Sequence, residues 1–209
     1  MLNIIYPTVC GFCKRIYKNE VCPKCNKKLQ DLNQTNIETN GAKKFDELAY
    51  MFKYEGTIRK TLIEYKFYEY GYLYNCFSKI LLNNEKIVNF IKNYDIIIPV
   101  PIHKNRKRKR GYNQTELIAK KLCLELGLKL ETNVIEKSIN TKPQSLLRGK
   151  DRIDNAKNVY KLKKPEQIKG KNILILDDIY TTGNTVNECS KELRKSNPNK
   201  IGVLVIAKD

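Results

Sequence analysis

Residues 172–188 read "NILILDDIYTTGNTVNE". An aliphatic run suited to a buried strand ends in two adjacent carboxylates, Asp177 and Asp178. Beyond them "NTVNECSKELRKS" places Val186, Cys189 and Leu193 at helical intervals, so the stretch reads strand, turn, helix. In a parallel sheet, ligands bind beyond the carboxyl ends of the strands. Gly183 permits a tight turn, the amides at a helix start can cradle a phosphate, and Thr181, Thr182 and Thr185 add hydroxyls. The carboxylates accept hydrogen bonds from hydroxyls or face a divalent cation. A sugar phosphate carries both complements, a phosphate at one end and a vicinal diol at the other. Helix capping is the plainer reading: Thr185 and Glu188 have capping-box spacing. Capping accounts for the helix but not for the acidic doublet. No Gly-Lys-Ser/Thr follows, which excludes a Walker loop, and a single glycine excludes a dinucleotide fingerprint.

The surrounding chain continues the alternation of strand and helix. "YDIIIPVP" (94–101) is a short apolar run, as in a strand buried on both faces. "NQTELIAKKLCLELG" carries Ile118, Leu122 and Leu126 at helical spacing and stops at Gly127. "LKLETNVIEK" reads as a strand and "KIGVLVIAK" as a last one, which together argue for βαβ units around a parallel sheet. Further toward the N-terminus, "TIRKTLIEYKFY" is helical, and a second helix is expected from about Tyr70 to Leu82. "FDELAYMFKYEG" suggests one or two short strands, and residues 31–44, polar and aperiodic, read as a linker.

The front of the chain, "CGFCKRIYKNEVCPKC", pairs Cys10 with Cys13 and Cys22 with Cys25. Two Cys-x-x-Cys turns brought together across a short hairpin can complete a closed, structural zinc site; redox pairs or chance spacing are the alternatives. Cys76, Cys123 and Cys189 lie in apolar helical patterns and read as core. The expected organisation is a zinc module with linker over 1–44 and an α/β domain over 45–209.

The chain has 209 residues and a formal net charge of +18. That excess suits polyanions, nucleic acid or phosphorylated metabolites, although a lysine-rich composition also follows from base composition alone. No signal peptide and no apolar run of membrane-spanning length is present, so the expected compartment is the cytoplasm, without membrane insertion. "HKNRKRKRG" concentrates Lys104, Arg106, Lys107, Arg108, Lys109 and Arg110 beyond the "PVP" strand end. A run of like charge usually forms an exposed, mobile loop. Such a loop is either a solvated face, a clamp for a pyrophosphate leaving group, or a track for a DNA backbone with Tyr112 stacking on a base. Arg148 and Arg152 can add to either patch. Asn113, Gln114 and Gln144 order loops or touch ligand, and the lone His103 receives no role.

"ILILDDIYTTGNT" resembles the signature of type I phosphoribosyltransferases. The resemblance implies that Asp177 and Asp178 hold the ribose of phosphoribosyl pyrophosphate (PRPP). It also implies that Thr181, Thr182, Gly183, Asn184 and Thr185 wrap the 5′-phosphate, with magnesium riding on the pyrophosphate. "PVPIHKNRKRKRGYNQTELIA" (99–119), "TKPQSLLRGKDRIDNAKNVY" (141–160), "YEGTIRKTLIEYK" (54–66) and the cysteine-rich front end resemble the ComF competence family. That likeness spans nearly the whole chain. It implies a phosphoribosyltransferase-like α/β fold with an N-terminal zinc ribbon, and a role in handling incoming single-stranded DNA in natural transformation, with other DNA-uptake proteins as possible partners. The alternative is an active phosphoribosyltransferase, moving a ribosyl 5-phosphate group from PRPP to an unknown acceptor.

Overall fold

The computed structural model describes residues 8–39, 41, 43–67, 70–140 and 159–209. In chain order these form α1 (Pro23–Asp31), β1 (Asn36–Thr39), β2 (Glu47–Lys53), α2 (Gly56–Phe67), α3 (Leu73–Leu82), α4 (Glu85–Ile91) and β3 (Ile96–Pro99). There follow α5 (Lys104–Arg110), α6 (Gln114–Leu126), β4 (Lys129–Leu130), β5 (Ile135–Lys137), β6 (Tyr160–Leu162), β7 (Asn172–Tyr180), α7 (Asn184–Leu193) and β8 (Lys200–Lys208). Six strands make one sheet in the order β1-β2-β8-β7-β3-β4, parallel throughout except for antiparallel β1 at its edge. β5 and β6 form a separate antiparallel ribbon.

The sheet is buried on both faces, and its pleat divides the core in two. Leu174 and Leu176 of β7 face Ile58 and Leu62 of α2, Phe77 of α3, Ile87 of α4 and Leu122 of α6. Ile173 and Ile175 face Val186, Cys189 and Leu193 of α7 and Ile135 and Tyr160 of the ribbon. Alternate residues of one strand thus serve opposite layers, which is why β7 and β8 read as unbroken apolar runs. Register levels the strand ends: Leu176 lies opposite both Pro99 of β3 and Leu204 of β8. Cys76, Cys123 and Cys189 are buried core residues, as expected.

Several local expectations need correction. The 31–44 segment is no featureless linker, because Asn36–Thr39 hydrogen-bonds along β2 and adds a strand to the sheet. Its residues are too polar and too few for the alternation to be visible. "LKLETNVIEK" splits between two sheets, with a turn between Leu130 and Ile135. The helix Glu85–Ile91 escaped notice because it is only seven residues long; its signal was Asn84, whose Oδ1 accepts from Ile87 N at 3.0 Å. The cysteine module docks on the α/β core through Phe12, edge-on to Phe77 at 6.1 Å, and through Leu29 of α1, which is buried in the core.

Candidate phosphosugar site and metal centre

β7 does not stop at the acidic doublet. Asp177 still pairs with Val205, and the strand runs on to Tyr180. Asp177 and Asp178 are therefore consecutive strand residues, and they face opposite layers: Asp178 meets Lys66 of α2, and Asp177 lies in the field of Lys137 of β5. Asp178 is buried, with 6% exposure, and its carboxylate meets the Lys66 ammonium of α2 at 3.0 Å. Burial alone would push Lys66 down, but the charges of Asp178 and Asp177 outweigh it and hold the ammonium. Asp177 shares its face with the β5–β6 ribbon, and its Oδ1 accepts the Asp178 amide at 2.9 Å. Burial and then the neighbouring Asp178 charge push the Asp177 carboxyl up to about 7. On that side Lys137 of β5 is pushed down to about 8, by burial first and then by Arg106, against the pull of Asp177.

The turn after β7 has the shape that an anion site needs. Gly183 has φ +74 and is the N-cap of α7. A Cβ there would run into the Tyr180 phenol, so both the left-handed backbone and the close approach require glycine. α7 opens at Asn184, so the Thr185–Glu188 spacing does not act as a capping box; Glu188 instead meets Lys191. The side-chain nitrogen of Asn184 is buried and makes no hydrogen bond among the described residues. A buried donor in that state is stabilised by an acceptor brought from outside, such as a phosphate oxygen.

The basic run is a helix, not a mobile loop. His103 caps it, its Nδ1 accepting from Asn105 N at 3.2 Å, and Gly111 ends it at φ +82. Helical spacing sorts the six cations. Arg106 and Arg110, one turn apart, are half-buried; Arg110 lies in the field of Asp178 and Arg106 in that of Lys137. Lys104, Lys107, Arg108 and Lys109 are exposed, with Lys107 paired to Glu116 at 2.7 Å. Tyr112 turns inward onto Tyr65, ring centroids 6.5 Å apart.

Asn113 and Gln114 order loops. Asn113 Nδ2 and Thr115 Oγ1 both donate to the Val100 carbonyl, at 3.0 and 3.1 Å, and pin the chain that leaves β3. Gln114 Nε2 donates to the Lys66 carbonyl at 3.3 Å, and the Tyr65 hydroxyl donates to the Gln114 carbonyl at 2.8 Å. Sequence reasoning missed Lys66 and Lys137. Lys66 lies in a helix that looked merely amphipathic, and only the fold brings it to the strand tip. Arg148, Arg152 and Gln144 lie outside the described residues.

The sulfurs of Cys10, Cys13, Cys22 and Cys25 lie within 4.8 Å of one another, and Cys13 and Cys22 are 3.8 Å apart. Zn–S bonds of about 2.3 Å in a tetrahedron place sulfurs about 3.8 Å apart, so the four thiols fit such an ion. The second pair sits on the first turn of α1, with Cys22 as its N-cap. Burial opposes ionisation of Cys10, but the amides of Cys13, Cys22 and Phe12 outweigh it and bring its pKa down to about 6.

A family model described as "Phosphoribosyl transferase domain" matches residues 109–209. Competence protein F of Haemophilus influenzae is 27% identical over 99% of this chain and 93% of its own. Competence protein ComFC of Bacillus subtilis is 28% identical over 66% of this chain and 53% of its own. The DNA utilization protein YhgH of Escherichia coli is 33% identical over 49% of this chain and 44% of its own. Over nearly its whole length the chain is therefore similar to a competence protein. Its fold is that of the type I phosphoribosyltransferases, with a four-cysteine cluster at the front. Among the described residues no helix is long and apolar enough to cross a membrane.

Cys10→Ser should release bound metal and lower the melting midpoint by several degrees, because a closed site contributes folding energy directly. Metal analysis with a thermal melt checks this, and unchanged zinc content contradicts it. For Asp177, the folded chain holds between pH 3.8 and about 7 a proton that the unfolded chain has lost. Stability therefore falls as pH rises through that window. Asp177→Asn should raise the midpoint by a few degrees near pH 8 and barely move it near pH 4. An equal shift at both pH values contradicts the reading.

Proposed function

We propose that the chain binds Mg-PRPP at the tips of β3 and β7 and handles incoming single-stranded DNA during natural transformation, in the cytoplasm. The names of the relatives, competence proteins and a DNA utilization protein, support the biological role. One observation carries the ligand: a left-handed Gly183 opens α7 directly beyond two carboxylates, beside a buried Asn184 nitrogen with no acceptor among the described residues. In this reading Thr181, Thr182, Gly183, Asn184 and Thr185 receive the 5′-phosphate and Asp177 and Asp178 receive the ribose hydroxyls. Lys66, paired with Asp178 at 3.0 Å, fixes the orientation of that carboxylate. Arg106 and Arg110, on the inner face of α5, meet the Mg-pyrophosphate. Lys104, Lys107, Arg108 and Lys109, on the outer face, meet DNA phosphates, with Tyr112 beneath as a packing residue. Zinc in the four-cysteine cluster is structural, since a four-thiolate site leaves no open position. Further DNA-uptake proteins are natural partners.

The inner arginines also favour a second reading, transfer of the ribosyl 5-phosphate to an acceptor, because cations at that position stabilise departing pyrophosphate. Acceptor-dependent pyrophosphate release separates the two readings.

Calorimetric titration tests the ligand. The protein should bind Mg-PRPP, and Asp177→Ala with Asp178→Ala should abolish binding while the circular dichroism spectrum is retained; unaltered affinity in the double variant defeats the assignment. For DNA, affinity should fall steeply with salt, and Arg108→Gln with Lys109→Gln should reduce the slope of log K against log salt by about 1.4. A flat salt dependence rules the phosphate track out.

A further inference from the structure

Three aromatic side chains stand in water at the α2–α3 connection. Phe67, Tyr70 and Tyr72 are 47%, 40% and 39% exposed, which is unusual for large rings in a folded chain. Their neighbourhood explains how the rings are held. Tyr70 and Tyr72 have centroids 5.7 Å apart and planes tilted by 48°, so neither covers the other face to face. Lys14 braces both: its Nζ lies 4.8 Å from the Tyr70 centroid and 5.7 Å from that of Tyr72. Lys14 is itself fixed by the Gly11 carbonyl at 2.8 Å and by Glu64 at 2.9 Å. It directly follows Cys13 and takes a left-handed φ of +62, a conformation set by the cysteine knuckle. The metal module therefore holds the brace of the aromatic ledge.

The ledge also abuts the basic helix. Gly71, between the two tyrosines, lies so close to the Tyr112 ring that a Cβ on it would stand 3.2 Å away. Tyr112 follows the end of α5, where Arg108 and Lys109 are exposed. Exposed rings beside exposed cations match the two chemistries of a single strand: bases with π-faces, and charged backbone phosphates.

We infer that Tyr70 and Tyr72 stack on the bases of the single strand whose phosphates α5 engages, and that the four-cysteine module holds this ledge in place through Lys14. The inference rests on the DNA-handling reading above and names the base-contacting part of that site. It explains why a structural metal module is joined to a phosphosugar-binding fold, since its docking sets the position of the two rings beside the basic helix.

The test compares an oligo-dT with an abasic oligomer of equal length and charge, on the full chain loaded with zinc. The wild type should prefer oligo-dT. Because the chain contains no tryptophan, binding should also quench its tyrosine fluorescence, and only with oligo-dT. Tyr70→Ala with Tyr72→Ala should weaken oligo-dT binding by about tenfold or more and remove the preference, with the salt slope and Mg-PRPP affinity unchanged. Lys14→Met, which leaves the rings but removes their brace, should weaken the preference partway. Equal wild-type affinity for both oligomers with a steep salt slope overturns the ledge and leaves the phosphate track standing. Failure of the wild type to bind either oligomer overturns the DNA-handling reading itself.

Discussion

The pleat of β7 governs the site. Successive strand residues alternate faces at this point, so Asp177 and Asp178 open onto different layers of the molecule. Asp178 joins the helical layer and is compensated by Lys66, while Asp177 joins the ribbon layer beside Lys137. Two adjacent carboxylates, one buried and one half-buried, cost stability unless cations offset them. The fold supplies those cations from three separate elements, α2, α5 and β5, and sequence distance hides the two lysines, Lys66 and Lys137. What emerges is a strand tip where negative charge is concentrated, partly neutralised, and set against a turn rich in donors.

The same tip depends on hydrogen bonds that never touch a ligand. The Val100 carbonyl is claimed by both Asn113 and Thr115, which fixes where the chain leaves β3 and hence where α5 begins. Gln114 and Tyr65 bind α2 to α6 and set the height of Lys66. These polar residues are buried and hydrogen-bonded to backbone carbonyls, so they act as positioning residues. α5 then uses its 3.6-residue period to divide one basic run into an inner pair and an outer set, giving a single short helix two electrostatic faces.

Much of the fold was legible because buried parallel strands and amphipathic helices leave strong patterns. β3, β7, β8, α2, α6 and α7 all show such patterns, and the cysteine spacing declared a metal cluster. The misses share a physical cause. β1 and α4 are too short for periodicity to accumulate, and β4 and β5 are separated by a turn without glycine or proline. The basic run looked like a loop because local repulsion argues against a helix; His103 and Gly111 supply the caps that repulsion alone ignores. At the site, the doublet and the turn after it were visible as local sequence. Lys66 and Lys137 were not, because their role comes from tertiary placement and leaves no local motif.

Amide hydrogen exchange over 177–186, measured with and without saturating Mg-PRPP, bears most directly on the central claim. A phosphate seated in the turn after β7 must take hydrogen bonds from its backbone amides. Exchange there should slow by an order of magnitude or more, with little change in the β5–β6 ribbon. Exchange over 177–186 that is the same with and without ligand would contradict the account, whatever the affinity.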